Sequence, residues 1–177
     1  MNVKSHGGNN RTLEEEIEGI NFLLEYVDVH PTTGNIIWKR KPSQRIKLNS
    51  VAGYNSNGYW IIGFKGKNYL RHRIVFYYVN GYLPLVVDHV DGVDAGDHIG
   101  NLQEATQQQN TMKKAKSKRN TSGIRGVCLH KPSGKWQSRI MIDGKYIQIG
   151  MFSDIIDAKN AYNKKAKELF GDFYVEQ

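Results

Sequence analysis

The sequence predicts an α+β chain of two modules: a larger N-terminal one of mixed helices and short strands, and a smaller C-terminal one of three antiparallel strands packed on one helix. Three observations carry this. Apolar residues recur at helical spacing in Leu13, Ile17, Ile20 and Leu24, and again in Ile155, Ala158, Ala161, Tyr162, Ala166 and Leu169. Alternating apolar stretches broken by Gly-bearing turns mark short strands. The charge is also divided: residues 1–110 hold 11 Lys/Arg and 11 Asp/Glu, whereas residues 111–177 hold 14 and 6 and so supply the entire net charge of +8.

Residues 1–11 are Gly, Asn and charge without periodicity and read as a mobile tail. Thr12 and Glu15 form a capping box, with a helix expected from there to about Tyr26. His30-Pro31-Thr32-Thr33-Gly34-Asn35 is a turn signal, and Ile36-Ile37-Trp38 a strand. Gly58 to Phe64, then Gly66, then Tyr69-Leu70 predict a hairpin. Arg71 to Asn80 reads as a short helix stopped by Gly81, with Pro84 behind it. Val87-Asp88-His89 is a strand, linked through Gly92, Asp94 and Gly96 to a second short strand. Gln103 to Lys113 is expected to be a helix bringing Asn110 back over those strands.

Met112 to Thr121 is almost devoid of apolar residues and carries Lys113, Lys114, Lys116, Lys118 and Arg119, the composition of a basic linker. Ile124–Leu129, Lys135–Ile142 and Lys145–Met151 alternate as three strands, with turns at Ser133-Gly134 and Asp143-Gly144. A helix follows from Ser153 or Asp154 to Phe170 and ends at Gly171. The domains expected are therefore a tail at 1–11, a domain at 12–111, a linker at 112–121 and a second domain at 122–177.

Composition narrows the function classes. The 177 residues suffice for one ordinary domain or two small ones. The lone Cys128 excludes a disulfide within the monomer and a Cys-rich zinc knuckle, and fits a reducing compartment. No apolar run reaches the ~20 residues of a membrane span, and Met1 to Arg11 lacks a signal-peptide core. A soluble, cytoplasmic protein without membrane partner is expected. The basic C-terminal third suggests either contact with a polyanion or a solvated lysine-rich surface, and charge alone does not separate the two.

The chemistry-bearing run is Val87-Asp88-His89-Val90-Asp91-Gly92, with Asn101-Leu102 and Asn110 after it. Asp88 offers a carboxylate and Asn110 an amide oxygen, the hard donors a divalent ion such as Mg²⁺ takes while keeping waters and phosphate oxygens. His89 is then left to deprotonate water, and Asn101 to fix the loop or the imidazole. Hydrolysis of a phosphodiester needs such a set. Asp91 and Asp94 are read as solvated loop acids or a second metal ligand. His6 and His30 are read as bystanders and His98 as surface or functional. His72, between Arg71 and Arg73, is read as a phosphate contact or a packing residue.

From about Leu23 to Asn110 the chain resembles phage HNH endonucleases of the intron-homing type. The matching words are Tyr26-Val27-Asp28, Thr33-Gly34, Ile37-Trp38, Ala52-Gly53, Asn57-Gly58-Tyr59, His72-Arg73, Gly81, Pro84, Val87 to Gly92, Asn101-Leu102 and Gln109-Asn110. The resemblance implies a ββα-metal core, Asp88 and Asn110 as ligands of one Mg²⁺ (Mn²⁺ a substitute), His89 as general base and Asn101 as the structural middle Asn. Arg71, His72 and Arg73 are expected at the DNA. Gly96-Asp97-His98 departs from the more usual Asp-Asn-Arg, so Asp97 and His98 receive little weight.

Residues 122–172 resemble the AP2 DNA-binding domain on Ser122 to Val127, Gly134-Lys135-Trp136, Arg139-Ile140, Gly150-Met151-Phe152, Asp157-Ala158, Ala161-Tyr162 and Phe170-Gly171. That resemblance implies a sheet laid in the DNA major groove. Arg125, Cys128, His130, Lys135, Arg139, Met141, Tyr146 and Gln148 would then face DNA, while Val127, Leu129, Ile140, Ile142, Ile147 and Ile149 face the helix. Lys114, Lys116 and Lys118 of the linker are expected on phosphate.

The function expected is a metal-dependent, site-directed endonuclease acting on double-stranded DNA, with no small-molecule cofactor, one centre per chain favouring a nicking monomer, and a dimer open. A DNA-binding regulator with a decayed site is the alternative. An RNA-binding accessory protein is a third reading, against which stands the lack of an aromatic RNA-reading signature.

Overall fold

The computed structural model describes residues 11–113, 120–174 and 176. Residues 1–10 of the tail expected at 1–11, and the linker lysines Lys114, Lys116 and Lys118, lie outside the described residues. Two compact units emerge, Met1–Ala105 and Thr106–Gln177, so the division falls a few residues before the boundary that composition suggested.

The first unit opens with helix α1, Leu13–Leu24. Its capping box is complete: Thr12 Oγ1 accepts from the Glu15 amide at 3.2 Å, and Glu15 Oε2 accepts from the Thr12 amide at 2.7 Å. Strands β1 (Val27–His30) and β2 (Asn35–Trp38) form an antiparallel hairpin across the expected turn. Strands β3 (Tyr54–Ser56), β4 (Tyr59–Phe64) and β5 (Lys67–Leu70) form an antiparallel meander. Its turns are Asn57-Gly58 (φ 52° and 87°) and Lys65-Gly66 (φ 48° and 72°). Two successive left-handed residues are what a two-residue hairpin turn requires. Helix α2 spans Arg71–Asn80 and stops at Gly81, whose φ of 74° and amide bond to the Tyr77 carbonyl make a left-handed C-cap.

Strands β6 (Val86–His89) and β7 (Leu102–Ala105) then pair antiparallel, Val86 opposite Ala105 and His89 opposite Leu102. Gln103 to Ala105 is therefore strand, not the start of the expected helix. The helix, α3, is confined to Gln107–Lys113. Its true start was signalled by Thr106 and Gln109, which exchange side-chain-to-amide bonds of 3.1 and 2.7 Å in a second capping box.

The core of this unit gathers Ile20, Leu23, Ile36, Trp38, Ile62, Phe64, Ile74, Val75 and Val87. Inside it lies a buried ion pair. Arg73 Nε and Nη2 donate to the two oxygens of Glu16 at 3.0 and 2.8 Å, and Arg73 Nη1 donates to the Leu85 carbonyl at 3.0 Å. Arg11, expected in the tail, is instead buried: its Nη2 lies 3.5 Å from Glu16 Oε1 and donates to the Asn68 carbonyl at 2.8 Å. Arg73 thus ties α1 and α2 to the residue that enters β6.

The second unit contains strands β8 (Val127–His130), β9 (Lys135–Ile142) and β10 (Lys145–Phe152), antiparallel in the order β10-β9-β8. Helix α4, Ile155–Phe170, is capped by Asp154, whose Oδ1 accepts from the Ile156 amide at 2.6 Å. Its Ala158, Tyr162, Ala166 and Phe170 pack with Val127 and Ile140. β8 starts later than expected because Gly126 has φ 72° and lies so close to Tyr162 that a Cβ would strike the ring and sit 2.5 Å from the Arg139 carbonyl. Leu129 and Ile147, expected under the helix, are 48% and 46% exposed. The helix stripe of Ala158, Tyr162, Ala166 and Phe170 covers the middle of the sheet and leaves these outer positions open. Among the described residues, no helix is long and apolar enough to cross a membrane.

Candidate functional site

β6 opens with apolar Val86 and Val87 and is buried along all four residues, which brings Asp88 and His89 inside. Asp88 Oδ2 accepts from Gln103 Nε2 across the β6–β7 ladder at 3.0 Å. His89 Nε2 lies 2.7 Å from Asp97 Oδ1, and Asp97 Oδ2 accepts from Arg71 Nε at 2.7 Å. The Arg71 guanidinium sits 4.4 Å from the Trp60 ring centroid. His72 stacks obliquely on His89 with centroids 4.8 Å apart, and Tyr59 covers both imidazoles at 5.8 and 6.0 Å.

Asp97 is thus the hub that the sequence reading passed over. Burial by itself would raise its pKa, but the hydrogen bonds with His89 and Arg71 outweigh burial and hold the carboxyl below its usual range. The carboxylate stays charged and keeps both partners. The Asp97 backbone is fixed from behind: the β1–β2 turn presses Gly34 (φ 72°) against the chain, where a Cβ would lie 2.6 Å from the His98 amide nitrogen and 2.7 Å from the Asp97 carbonyl oxygen. The Ile99 amide also donates to the Pro31 carbonyl at 2.8 Å.

Asn101 is fully buried. Its Oδ1 accepts from the Asp91 amide at 2.8 Å, and its Nδ2 donates to the Gly92 and Gly96 carbonyls at 3.1 and 2.7 Å. It therefore braces the loop that carries Asp97. Asp91 and Asp94 are exposed, and His98 is half-buried. Asn110 lies on α3, in the second unit.

Arg71, His72 and Arg73 need correction. Their exposures are 5%, 4% and 1%, and both arginines spend their donors on buried carboxylates. They brace the interior and do not present their donors at the surface, where a duplex would lie. Positive charge at a helix N-terminus opposes the helix dipole, so it is Asp97 and Glu16 that make this first turn tolerable.

Burial, with His89 next, pushes the pKa of His72 from its ordinary 6.5 down to about 3. The unfolded chain therefore binds a proton that folded His72 refuses. Stability present above about pH 6.5 should be lost as pH falls towards 3, by roughly 1 kcal/mol per pH unit. Urea denaturation of metal-free protein at stepped pH reads this slope, and His72→Leu should flatten it.

His72, His89 and Asp97 each offer a ligand atom, all within 4.8 Å of one another, so this group could hold a metal. In the second unit, one sheet face is polar. Cys128 faces Gln137, Arg139 faces Gln148, and Met141 faces Tyr146, whose ring carries the Arg139 guanidinium at 4.4 Å. Gln137 joins this face by its bond to Gln148 Oε1 at 3.2 Å, though the sequence reading omitted it. Lys135 is exposed opposite His130, and His130 Nδ1 is 2.8 Å from Ser133 Oγ. Arg125 is half-buried before β8.

A family model described as HNH endonuclease matches residues 69–112. Among curated relatives, Protein 3.8 of Escherichia phage T7 is 29% identical over 105 residues, 58% of this chain and 86% of that protein. YosQ, a SPbeta prophage-derived protein of Bacillus subtilis (strain 168) named as an HNH homing endonuclease, is 34% identical over 82 residues, 45% of this chain and 47% of its own length. L560 of Acanthamoeba polyphaga mimivirus, named as an HNH endonuclease, is 29% identical over 119 residues, 66% of this chain and 61% of its own. No solved structure matches. The matched segment contains Arg71, His72, Asp88, His89, Asp97, Asn101 and Asn110. The likeness to HNH endonucleases is thus shown for residues 69–112 by the family model, and for stretches of 82 and 119 residues by the two relatives so named.

Proposed function

We propose that the chain is a metal-dependent, site-directed DNA endonuclease of a mobile phage element, with His89 as general base and the polar sheet face as its duplex-holding surface. The observation that carries it is the hydrogen-bonded line from Arg71 through Asp97 to His89. A general base must be held still and its cation stabilised when it takes a proton. Asp97 does both for the imidazole, and Arg71 keeps Asp97 charged and oriented. Asn101 holds the loop on which this depends.

The donor chemistry fits a hard divalent ion. Asp88 supplies a carboxylate next to His89, an oxygen donor of the kind Mg²⁺ accepts, with Mn²⁺ a substitute. When bound, the ion supplies charge neutralisation at the phosphate. Asp88 would hold it, Gln103 steadies Asp88 by its bond to Oδ2, and His89 accepts the proton of the attacking water. One such centre per chain fits a monomer that nicks one strand.

Incubating supercoiled plasmid with the protein should give nicked circles with Mg²⁺ or Mn²⁺ and none with EDTA. DNA binding without nicking in every metal would favour a regulator over an enzyme.

Arg139 and Arg125 would read base edges, a reading that the position of Arg139 on the polar sheet face supports. Replacing Arg139 by Ala should cost roughly 1–3 kcal/mol of duplex affinity and relax preference at particular base pairs. Neutralising Lys114, Lys116 and Lys118 should weaken all sequences alike and flatten the log-affinity versus log-salt slope by about one unit per lost contact. Binding isotherms on the same duplexes across a salt series compare the two.

A further inference from the structure

We propose that His72, His89 and Asp97 form a transition-metal site, for an ion of the Zn²⁺ or Co²⁺ class, and that filling it switches the nuclease off. The switching part rests on the nuclease reading above; the site itself does not. Two imidazoles and one carboxylate are a borderline donor set, which selects first-row transition ions over Mg²⁺. All three ligand atoms already lie within 4.8 Å of one another. Metal–nitrogen and metal–oxygen bonds of about 2.0–2.2 Å in a tetrahedron place ligand atoms roughly 3.3–3.5 Å apart. The present His89–Asp97 separation of 2.7 Å is therefore short by less than an ångström.

A second observation points to a ligand. His72 Nδ1 is buried without a hydrogen-bond partner, in a side chain that is 4% exposed. Buried polar atoms are ordinarily satisfied, and an exception marks an ion, a water or a functional atom. The outer layer of a metal site is also present. Arg71 donates to Asp97 Oδ2 and leaves Oδ1 on the histidine side, as partners of ligating carboxylates do.

Arg71 also sets a limit. Its charge balances Asp97, so the ion would bring uncompensated positive charge into a buried place, and binding should be reversible. α2 and β6 are held by their own packing and by the Glu16–Arg73 pair, so the fold does not wait for the ion. Ligation would tie His89 to the ion through its ring and remove it from proton transfer.

The test uses the full chain in Mg²⁺ buffer, titrated with Co²⁺ and then Zn²⁺. One equivalent of Co²⁺ should give visible d–d absorption that Zn²⁺ abolishes by displacement. His72→Leu should lose the absorption and weaken Zn²⁺ binding at least about 10–100-fold, the loss that removal of even an outer partner causes. Asp97→Asn, with circular dichroism to confirm the fold of each variant, gives a second reading if His72→Leu does not fold. In plasmid nicking with Mg²⁺, Zn²⁺ should stop the wild type, while whatever rate His72→Leu retains should no longer respond. Absence of Co²⁺ absorption, as expected if only a water caps His72, or an unchanged spectrum in both variants, overturns the site. Co²⁺ binding in a protein that never nicks DNA would leave the site standing and sink the nuclease reading.

Discussion

His89→Ala should lower plasmid nicking by about 10²–10⁴-fold, the contribution of a positioned general base, and leave duplex affinity within error of the wild type. The reason lies in where the imidazole sits. His89 is 5% exposed and engaged by Asp97, so it adds little contact area for a duplex. Asp97→Asn should fall short of that loss, because an amide can still hold the ring but brings no negative charge to meet the imidazolium. The difference should appear in the pH–rate profile, with the asparagine variant shifted and the alanine variant flat. Nicking by His89→Ala at the wild-type rate would remove His89 from the mechanism.

The largest expected stability effect is at Glu16. Glu16→Ala leaves Arg73, 1% exposed, without its bidentate partner, and Arg11 without its carboxylate. Breaking a buried pair from one side typically costs about 3–5 kcal/mol, against a total domain stability of about 5–15 kcal/mol. Urea denaturation should show the loss as a lower midpoint. Replacing Glu16 and Arg73 together by Met should recover part of it, since Arg73 is then no longer stranded and only Arg11 is left without its carboxylate. A double variant no better than Glu16→Ala would show that the Arg73 bond to the Leu85 carbonyl, not the ion pair, carries the stabilisation.

Features with local causes were legible in the sequence. Helix α2 runs from Arg71 to Asn80 because Gly81 must stop it, and α1 starts where Thr12 and Glu15 cap it. Strands β1 and β3, of four and three residues, were missed because such short pieces become strands only through partners, Trp38 opposite Val27 and Ile61 opposite Tyr54. In the site, Asp88 and His89 stood out on an apolar strand. Asp97 did not, because its weight comes from Arg71, 26 residues earlier, and from His89. The string Arg71-His72-Arg73 misled for the same reason. Read linearly it is a phosphate grip, yet folded it serves Asp97, His89 and Glu16.

The pairing of Arg73 with Glu16 spans 57 residues, and that separation bears on the order of folding. Contacts between distant segments close slowly, because chain entropy is lost before they form. In the second unit, by contrast, β8, β9 and β10 are successive neighbours joined by tight turns. During synthesis the first unit leaves the ribosome earlier, yet it stays incomplete until β7 has emerged to pair with β6. The C-terminal meander needs no such wait. The part of the chain made first is therefore completed over the longer span, and the line from Arg71 through Asp97 to His89 comes together only after most of the first unit has been translated.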